Sequence, residues 1–329
     1  MLWLRNGVNM FILYQLGSYV YKSPNFPLSN DPVPRISLKD RVPLPAPLVV
    51  YLEPTNICQF KCPWCPVVLP KFRDVVGREM LMNLTLFERA VQQLKGWKGV
   101  KAIRLFGFGE PLLHPHIDLM MRMATAISDR VEMTTNAVSL SSFISQSMID
   151  SGLHYLRVSA YPTMPLWREV RDRVRRLRTM RDSQGKRSPF ICVKVFEPSE
   201  MDWLKREYEG IADDFWCEGF HSIGSDLIPN PPATGDKVAC PFPFYMLVVK
   251  VDGTVLACPI AWERSVTVGD VRKESLRAIW AGDKLRTLQR DHLAGKRACY
   301  SACVSCDTLY CCGDSVDGLT VEDYDERIK

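Results

Sequence analysis

Cysteines are the residues of this sequence best able to do chemistry, and they fall into two groups. The first group is Cys58, Cys62 and Cys65. The second group is Cys240, Cys258, Cys299, Cys303, Cys306, Cys311 and Cys312. Cys192 and Cys217 stand alone and are expected to be small buried residues. Because the N-terminus lacks the features of a secretory signal, we expect a cytoplasmic protein whose thiols are reduced and bind metal.

The first group places three thiols in one short loop with the spacing C-x3-C-x2-C. A structural zinc ion takes four closed ligands, and an electron-transfer iron–sulfur cluster normally takes four cysteines. Three cysteines therefore indicate a 4Fe–4S cluster with one iron left open for a small molecule. Pro63 and Pro66 restrict the loop, and Trp64 can keep water from the cluster. A zinc site or a disulfide is the alternative.

Three further motifs follow the cysteine loop; the first two each come after a short apolar segment, and the third lies within one. They are GFGEP at 107–111, TNA at 135–137 and LRVS at 156–159. Together with the cysteine loop, and with Trp64 just before the third cysteine, this order resembles the radical S-adenosylmethionine (SAM) enzymes. Ala137 departs from the family pattern, which has a glycine at that position of the turn.

The resemblance implies that SAM binds at the open iron. In the family, the motif containing Glu110 holds the methionine amino group, and the strand containing Ser159 lies near the ribose. Lys194, near the end of a later strand, is placed to pair with the SAM carboxylate. The cofactor-binding residues expected on this basis are Trp64, Gly109, Glu110, Pro111, Asn136, Ser159 and Lys194.

Hydrophobic periodicity predicts the elements that position these motifs. Short apolar runs predict strands at 47–53, 102–106, 131–135, 155–159 and 191–196, and a sixth near 219–223. Helices are predicted between them at 85–96, 117–128, 140–151, 165–182 and 201–211. Continuous apolar strands that alternate with helices indicate a parallel sheet covered by helices. We therefore expect an α/β fold, a partial (β/α)6 TIM-like barrel with functional residues at the C-terminal ends of its strands.

The second cysteine group belongs to a separate C-terminal pattern. Cys240 precedes an apolar run at 245–251, Asp252 and Gly253 predict a hairpin turn, and Cys258 follows the second strand. With the helix predicted at 274–280, this pattern resembles the SPASM and twitch domains, which carry auxiliary iron–sulfur clusters in some radical SAM enzymes. The resemblance implies a small C-terminal α+β iron–sulfur domain.

The pattern of the second group is incomplete for a full SPASM domain. The run Cys303-x2-Cys306-x5-Cys312 begins like that of the family, but Val316 replaces the next expected cysteine. We therefore expect one auxiliary 4Fe–4S cluster, and two 4Fe–4S clusters in all. Its expected ligands are Cys240, Cys258, Cys303 and Cys306. Three cysteines are left over: Cys299, Cys311 and Cys312. One of them could replace a cluster ligand, and another could be a free thiol that faces the substrate. A zinc site with the same four ligands is the alternative to the auxiliary cluster.

The cofactors imply a radical oxidoreductase. In the family, SAM gives methionine and a 5′-deoxyadenosyl radical, which removes a hydrogen atom from a C–H bond after a flavodoxin or ferredoxin-type reductant supplies an electron. The single auxiliary cluster is similar to that of radical SAM alcohol dehydrogenases acting on aminocyclitols. We therefore expect dehydrogenation of a carbohydrate-like alcohol with the auxiliary cluster as electron acceptor, or epimerisation with a cysteine thiol returning the hydrogen.

A peptide maturase that oxidises or crosslinks a precursor peptide is the main alternative. Residues 1–46 are short for the leader-binding domain that many such enzymes carry, which favours the small-molecule substrate. A third hypothesis is a non-catalytic binding module stabilised by metal ions. The motifs that resemble those of SAM-binding enzymes argue against it. No motif identifies the acid or base. Tyr161, Lys194, Glu197, His221 and Asp226 are placed to face the substrate.

Composition narrows the remaining classes. With 329 residues, 47% hydrophobic and 24% charged, the chain is neither disordered, collagenous nor a coiled coil. A net charge of +5 is too mild to indicate nucleic acid, and the arginine-rich segment 168–181 keeps the apolar stripe of an amphipathic helix. The apolar stretch 8–21 is too short and too polar to span a membrane. We expect an N-terminal extension (1–46), the barrel (47–233) and the auxiliary-cluster domain (234–329).

Overall fold

The computed structural model describes residues 37–218, 237–312 and 314–329, without the side chains of residues 310 and 311. The strands are β1 (Val49–Leu52), β2 (Ala102–Leu105), β3 (Val131–Thr135), β4 (Tyr155–Ser159), β5 (Phe190–Val195), β6 (Asp214–Cys217), β7 (Met246–Val249), β8 (Thr254–Leu256) and β9 (Thr267–Asp270). The helices are α1 (Phe72–Val76), α2 (Leu84–Leu94), α3 (Ile117–Thr125), α4 (Ser142–Ser151), α5 (Trp167–Ser183), α6 (Met201–Tyr208), α7 (Leu276–Ala281), α8 (Asp283–Leu293), α9 (Ser301–Val304), α10 (Thr308–Cys311) and α11 (Val321–Ile328).

The strands of the described residues form one sheet in the order β6-β5-β4-β3-β2-β1-β7-β8-β9. Neighbours from β1 to β6 run parallel and alternate along the chain with α2 to α6. The predicted partial barrel is thereby confirmed. β7 pairs parallel to β1, and β8 and β9 add antiparallel strands, so the C-terminal part continues the barrel sheet. The hairpin turn between β7 and β8 lies at Gly253, whose φ is +89°.

The sixth strand differs from the prediction. The segment expected to form it, 219–223, lies outside the described residues, as does the apolar stretch 8–21. The sixth position of the sheet belongs to β6, which pairs with β5. Because β6 lies at the edge of the sheet formed by the described residues, its residues are only half-buried, whereas those of β1 and β2 are all buried.

The two faces of the barrel strands have different chemistry. Val50 and Ile103 belong to the large apolar core formed with the helices. On the other face, the buried Arg104 donates to Glu132 at 2.8 Å and to the hydroxyl of Tyr51. The strands are therefore not uniformly apolar as predicted, because an ionic network fills part of the barrel interior.

The arginine-rich helix α5 uses its basic residues within its own fold. Val174 and Leu177 are fully buried on its inner face. Arg171 pairs with Glu207 at 2.7 Å, and Arg178 pairs with Asp213 at 2.7 Å. Among the described residues, no helix has the length and apolar character needed to cross a membrane.

Candidate active site

The loops after the first five strands converge on a cavity of about 290 Å³. This volume is close to the range of roughly 300–1,000 Å³ found for small-molecule sites. The sequence-predicted residues that line it are Cys58, Cys62, Trp64, Cys65, Gly109, Glu110, Asn136, Ser159 and Lys194. Pro111 follows Glu110 and begins a short 3-10 helix. The structure therefore brings the expected SAM site together at the C-terminal edge of the strands.

The three thiols of the first group face this cavity from the loop after β1. The loop turns where the amide of Cys65 donates to the carbonyl of Cys62 at 2.9 Å, and the amide of Phe60 donates to Sγ of Cys58 at 3.5 Å. Burial raises the pKa of Cys65 to about 12 and also raises that of Cys58. Such thiols ionise when a nearby positive charge offsets the lost hydration, and the irons of a cluster supply that charge.

Glu110 is held rigidly at the base of the cavity. Its carboxylate accepts hydrogen bonds from the amides of Asn136 at 2.7 Å and Leu112 at 3.0 Å, and from the hydroxyl of Thr135. Burial raises the pKa of Glu110 to about 7. An ammonium group beside this carboxylate would favour its ionised form. The site therefore fits the amino group of methionine that the family resemblance places there.

Gly109 allows the loop after β2 to rest on the cysteine loop. A Cβ at this position would lie 2.1 Å from the carbonyl oxygen of Thr55 and 2.8 Å from that of Ile57. The next amide, that of Glu110, donates to the same Ile57 oxygen at 2.8 Å. Any larger residue at 109 would push these two loops apart.

A buried ion pair that the sequence did not reveal braces the same loops. Nζ of Lys250, at the end of β7, lies 2.6 Å from Oε1 of Glu53, which follows β1. Glu53 also accepts from the amides of Phe108 at 2.9 Å and Val251 at 3.2 Å. A Cβ at Gly107 would lie 2.2 Å from the Glu53 carboxylate. The C-terminal sheet thus helps to hold the glycine-containing loop of the first cavity.

The turn after β3 joins the cysteine loop through Asn136. Oδ1 of Asn136 accepts from Nε2 of Gln59 at 3.1 Å and from the amide of Val138 at 3.0 Å. Ala137, where the family has glycine, has a φ of 56°. This left-handed conformation favours glycine, so the departure from the family pattern preserves the backbone shape at some conformational cost.

Lys194 lines the same cavity and forms an ion pair with Glu218, which also lines it. Its Nζ lies 4.8 Å from the ring centre of Phe196. Burial lowers the pKa of Lys194 to about 7. Ser159 is its partner in the β4–β5 register. The expected contact of Lys194 with the SAM carboxylate remains a prediction, and the partner in this structure is Glu218.

Aromatic side chains cover the cysteine loop. Trp64 packs against Tyr161 and Phe196 with ring centres 5.0 and 5.2 Å apart. The Tyr161 hydroxyl lies 3.1 Å from Sγ of Cys62, and burial raises the pKa of Tyr161, so it keeps its proton. These rings can exclude water from the cluster.

Three other sequence candidates are not among the cavity-lining residues of the described part of the chain. His221 and Asp226 are outside the described residues. Glu197 does not line the first cavity. The candidate acid–base groups that the structure brings to the cavity are therefore Tyr161, Lys194 and the unpredicted Glu218.

A second, smaller cavity gathers the predicted auxiliary ligands. Cys240, Cys258, Cys303 and Cys306 all line it. Burial raises the pKa of Cys303 to about 12 and raises those of Cys240 and Cys258 well above their ordinary value. As in the first cavity, iron would offset the cost of burying these thiolates. The donor set fits an auxiliary cluster.

The three remaining cysteines have different environments. Cys299 is exposed. Cys312 is buried, and its charge contributes to the raised pKa of Cys240, so it lies near the second cavity. The side chain of Cys311 is outside the description. Of the described pair, neither lines the first cavity.

Two basic side chains missed by the sequence analysis complete the second cavity. His292 lines it from α8, where it follows Leu288 on the buried face of the helix. Burial lowers the pKa of His292 to about 4, so the ring is neutral near pH 7. Nη1 of Arg297 donates to the carbonyls of Cys303 at 2.7 Å and Cys306 at 3.1 Å. The i, i+4 spacing from Leu288 was the available sign that His292 faces inward.

The two cavities share part of a wall. Ile260 lines both of them. Thr308 lines the first, and the next residue, Leu309, lines the second. A group in the first cavity would therefore lie close to the four thiols of the second.

Neither thiol group has the geometry of a single-ion site. Within the described ranges, no three His, Cys, Asp or Glu side chains converge closely enough to hold one metal ion. The thiols of a 4Fe–4S cluster bind different irons, so they need not converge on one point.

Comparisons with known proteins agree with this geometry. The chain matches the radical SAM superfamily over residues 52–181 and the iron–sulfur cluster-binding SPASM domain over residues 240–307. A curated relative is the S-adenosyl-L-methionine-dependent 2-deoxy-scyllo-inosamine dehydrogenase of Niallia circulans. It is 22% identical over 264 residues, which cover 79% of this chain and 93% of the relative.

Solved structures share the fold. BtrN in complex with AdoMet and 2-DOIA matches with a TM-score of 0.59 at 21% identity, over 84% of this chain and 97% of BtrN. Streptococcus suis SuiB bound to S-adenosylmethionine matches with a TM-score of 0.55 at 16% identity, over 84% of this chain and 74% of SuiB. The two matched domains account for the two cysteine cavities, with SAM and iron–sulfur clusters as cofactors. The chain therefore belongs to the radical SAM enzymes and carries a SPASM iron–sulfur domain after its radical SAM domain.

Proposed function

We propose that this enzyme dehydrogenates a secondary alcohol on a small carbohydrate-like ring, with an aminocyclitol as the substrate class. The observation that carries the proposal is the wall at Ile260, which places the SAM cavity next to the auxiliary cysteine cavity. An alcohol oxidation needs an electron acceptor near the substrate, and the neighbouring cavity would provide one when it holds its cluster. The curated relative named as a 2-deoxy-scyllo-inosamine dehydrogenase supports the substrate class.

Oxidation of a carbinol to a ketone removes a hydrogen atom from carbon, a proton from oxygen and one further electron. When bound, SAM with its cluster supplies the chemistry that takes the hydrogen atom, and the auxiliary cluster accepts the electron. The proton is left for a protein side chain. The atoms and electrons then balance without a nicotinamide.

The chain's own residues divide the remaining work. We assign Cys58, Cys62 and Cys65 to the SAM-binding cluster and Glu110 to the methionine amino group. The auxiliary cluster is assigned to Cys240, Cys258, Cys303 and Cys306. The aromatic cover formed by Trp64 and its neighbours excludes water, which protects a reactive carbon centre from side reactions.

The Lys194–Glu218 pair is the proposed proton acceptor. Both residues line the cavity, and burial lowers the pKa of Lys194 to about 7, close to the value that suits proton transfer near neutral pH. Loss of such a group typically slows a reaction by about 10²–10⁴-fold. We expect Lys194→Met and Glu218→Gln to slow ketone formation by this order, with SAM cleavage continuing in Glu218→Gln.

Dehydrogenation is favoured over epimerisation by the positions of the spare thiols. Return of a hydrogen atom from cysteine requires a thiol in the substrate cavity beyond the three assigned to the cluster. Among the described side chains, Cys299 and Cys312 are not part of that wall. The reaction in deuterated solvent separates the outcomes, because an epimer gains one solvent hydrogen at the reacting carbon and a ketone gains none.

The test uses the full chain, reconstituted without oxygen and supplied with SAM, a reductant and 2-deoxy-scyllo-inosamine or related aminocyclitols. The proposal expects one ketone for each 5′-deoxyadenosine released. SAM cleavage without any change in the whole aminocyclitol panel would overturn the substrate class.

A precursor peptide is the second candidate substrate. Phe60, Phe106 and Phe108 give the cavity an apolar wall that suits a peptide side chain. S. suis SuiB bound to precursor peptide SuiA has the same fold, with a TM-score of 0.52 at 18% identity. A loss of 2 Da or a new crosslink in a peptide, with aminocyclitols unchanged, would favour this candidate.

The organisation and setting follow from the same proposal. We infer a division between a barrel at 47–233 and an auxiliary-cluster domain at 234–329, after an extension at 1–46. A flavodoxin or ferredoxin-type protein is the proposed reductant, and the reducing cytoplasm is the proposed compartment, since unpaired cysteine ligands persist there.

A further inference from the structure

His292 is a buried polar residue among the auxiliary cysteines. It is 1% exposed and lines the cavity formed by Cys240, Cys258, Cys303 and Cys306. It lies on α8, a helix that contributes no thiol to that cavity. Its position therefore needs an explanation beyond cysteine ligation.

Both ring nitrogens of His292, Nδ1 and Nε2, lack a hydrogen-bond partner within the described part of the chain. Its neighbour Gln289, one turn earlier and also buried, donates to the carbonyl of Pro243 at 2.8 Å and accepts from Tyr324. Leaving a buried donor and acceptor unsatisfied is costly, and native proteins rarely do so. A partner for the ring is therefore expected inside the cavity.

The other basic side chain of the cavity, that of Arg297, already has partners. Nη1 of Arg297 donates to the carbonyls of Cys303 and Cys306. That arginine shapes the ligand loop from its backbone side. The neutral imidazole of His292 carries one N–H group. Among the described residues, this N–H has no hydrogen-bond acceptor.

We propose that His292 donates a hydrogen bond to a sulfur of the auxiliary cluster and so raises the reduction potential of that cluster. Hydrogen bonds to cluster sulfurs stabilise the more negative, reduced state, and they are one of the means by which proteins set cluster potentials. The effect makes the cluster a better electron acceptor. This inference rests on the auxiliary cluster, and it holds whichever substrate is correct.

The variant test uses the full-length protein with Cys58, Cys62 and Cys65 replaced by alanine, so that only the auxiliary cluster remains. In this background, His292→Leu should lower the reduction potential of the auxiliary cluster by about 59 mV. This shift corresponds to a tenfold change in the equilibrium between the oxidised and the reduced cluster for one electron. His292→Gln keeps an N–H donor and should recover most of the shift. His116→Leu, an exposed histidine in the barrel, is the matched control and should change nothing.

A spectroscopic test works on the unaltered His292 and does not depend on how the leucine variant folds. In protein labelled with ¹⁵N-histidine, pulsed electron paramagnetic resonance of the reduced auxiliary cluster should show a weak nitrogen coupling. The coupling should disappear in His292→Gln. Absence of histidine coupling, a strong coupling from a directly bonded nitrogen, or an unchanged potential in His292→Leu would each overturn the proposal.

Because the potential is measured without substrate, a wrong substrate class leaves this result intact. Conversely, a negative result at His292 leaves ketone formation untouched. The two proposals therefore fail separately.

Discussion

Replacing Lys250 by methionine tests whether the C-terminal sheet braces the SAM site. Lys250 and Glu53 are both buried, with Nζ and Oε1 2.6 Å apart. The substitution leaves the Glu53 carboxylate buried with two backbone amide donors, those of Phe108 and Val251, and no cation. Removal of one member of a buried pair typically costs about 3–5 kcal/mol. We expect the free energy of unfolding to fall by this amount.

The same change should weaken SAM binding, because Glu53 holds the amide of Phe108 and packs directly on Gly107. Urea denaturation followed by circular dichroism measures the stability, and equilibrium dialysis of the reconstituted protein measures SAM affinity. The double variant Glu53→Gln/Lys250→Met carries no unpaired charge, so it should be more stable than Lys250→Met alone.

Arg272 provides a matched control for that experiment. Its ion pair with Asp270 is similarly short, at 2.6 Å, but Arg272 is 55% exposed. Exposed pairs contribute about 0–1 kcal/mol, so Arg272→Met should leave both stability and SAM affinity nearly unchanged. If Lys250→Met costs no more than Arg272→Met, the bracing role of the buried pair is wrong.

Three further substitutions probe the two cavities. Gly109→Ala places a Cβ 2.1 Å from the Thr55 carbonyl oxygen. We expect the rate of SAM cleavage to fall by about 10²-fold, which is the typical effect of a 1 Å misplacement of reacting groups. A wild-type rate would contradict the close packing of the two loops. Burial raises the pKa of Glu110 from 4.5 to about 7. Between these two pH values, Glu110 is protonated in the folded protein without cofactors and ionised in the unfolded chain. The stability that Glu110 contributes is therefore lost as pH rises from 5 to 8, and wild type should lose stability relative to Glu110→Gln in urea titrations; the opposite trend would refute it. Cys303→Ala should lower the iron content from about eight to about four per chain, whereas the exposed Cys299→Ala should keep all eight; equal iron in both variants would remove Cys303 from the ligand set.

The sequence predicted those site residues whose positions follow from the order of strands, helices and motifs along the chain. Cys58, Glu110 and Asn136 each follow a parallel strand, and Ser159 ends one. Because the carboxyl ends of parallel strands lie at one edge of a sheet, the convergence of these residues in one cavity could be foreseen. The fold class followed from the same alternation of strands and helices. The four auxiliary thiols could be grouped because their spacing resembles a known domain.

Contacts between distant segments could not be read in this way. Lys250 and Glu53 are 197 positions apart, and nothing in the local pattern of β7 marks that lysine as buried. Glu218 follows β6, a half-buried strand at Asp214–Cys217 that periodicity did not predict. His292 resembles any residue on the inner face of a helix until α8 is packed against the cysteines.

We propose that the first cysteine group, with Glu110, forms a site that cleaves SAM. Reduced, anaerobically reconstituted protein should release 5′-deoxyadenosine from SAM, and Cys58→Ala should release none while keeping the iron of the auxiliary cluster. Continued release of 5′-deoxyadenosine by Cys58→Ala would contradict the account.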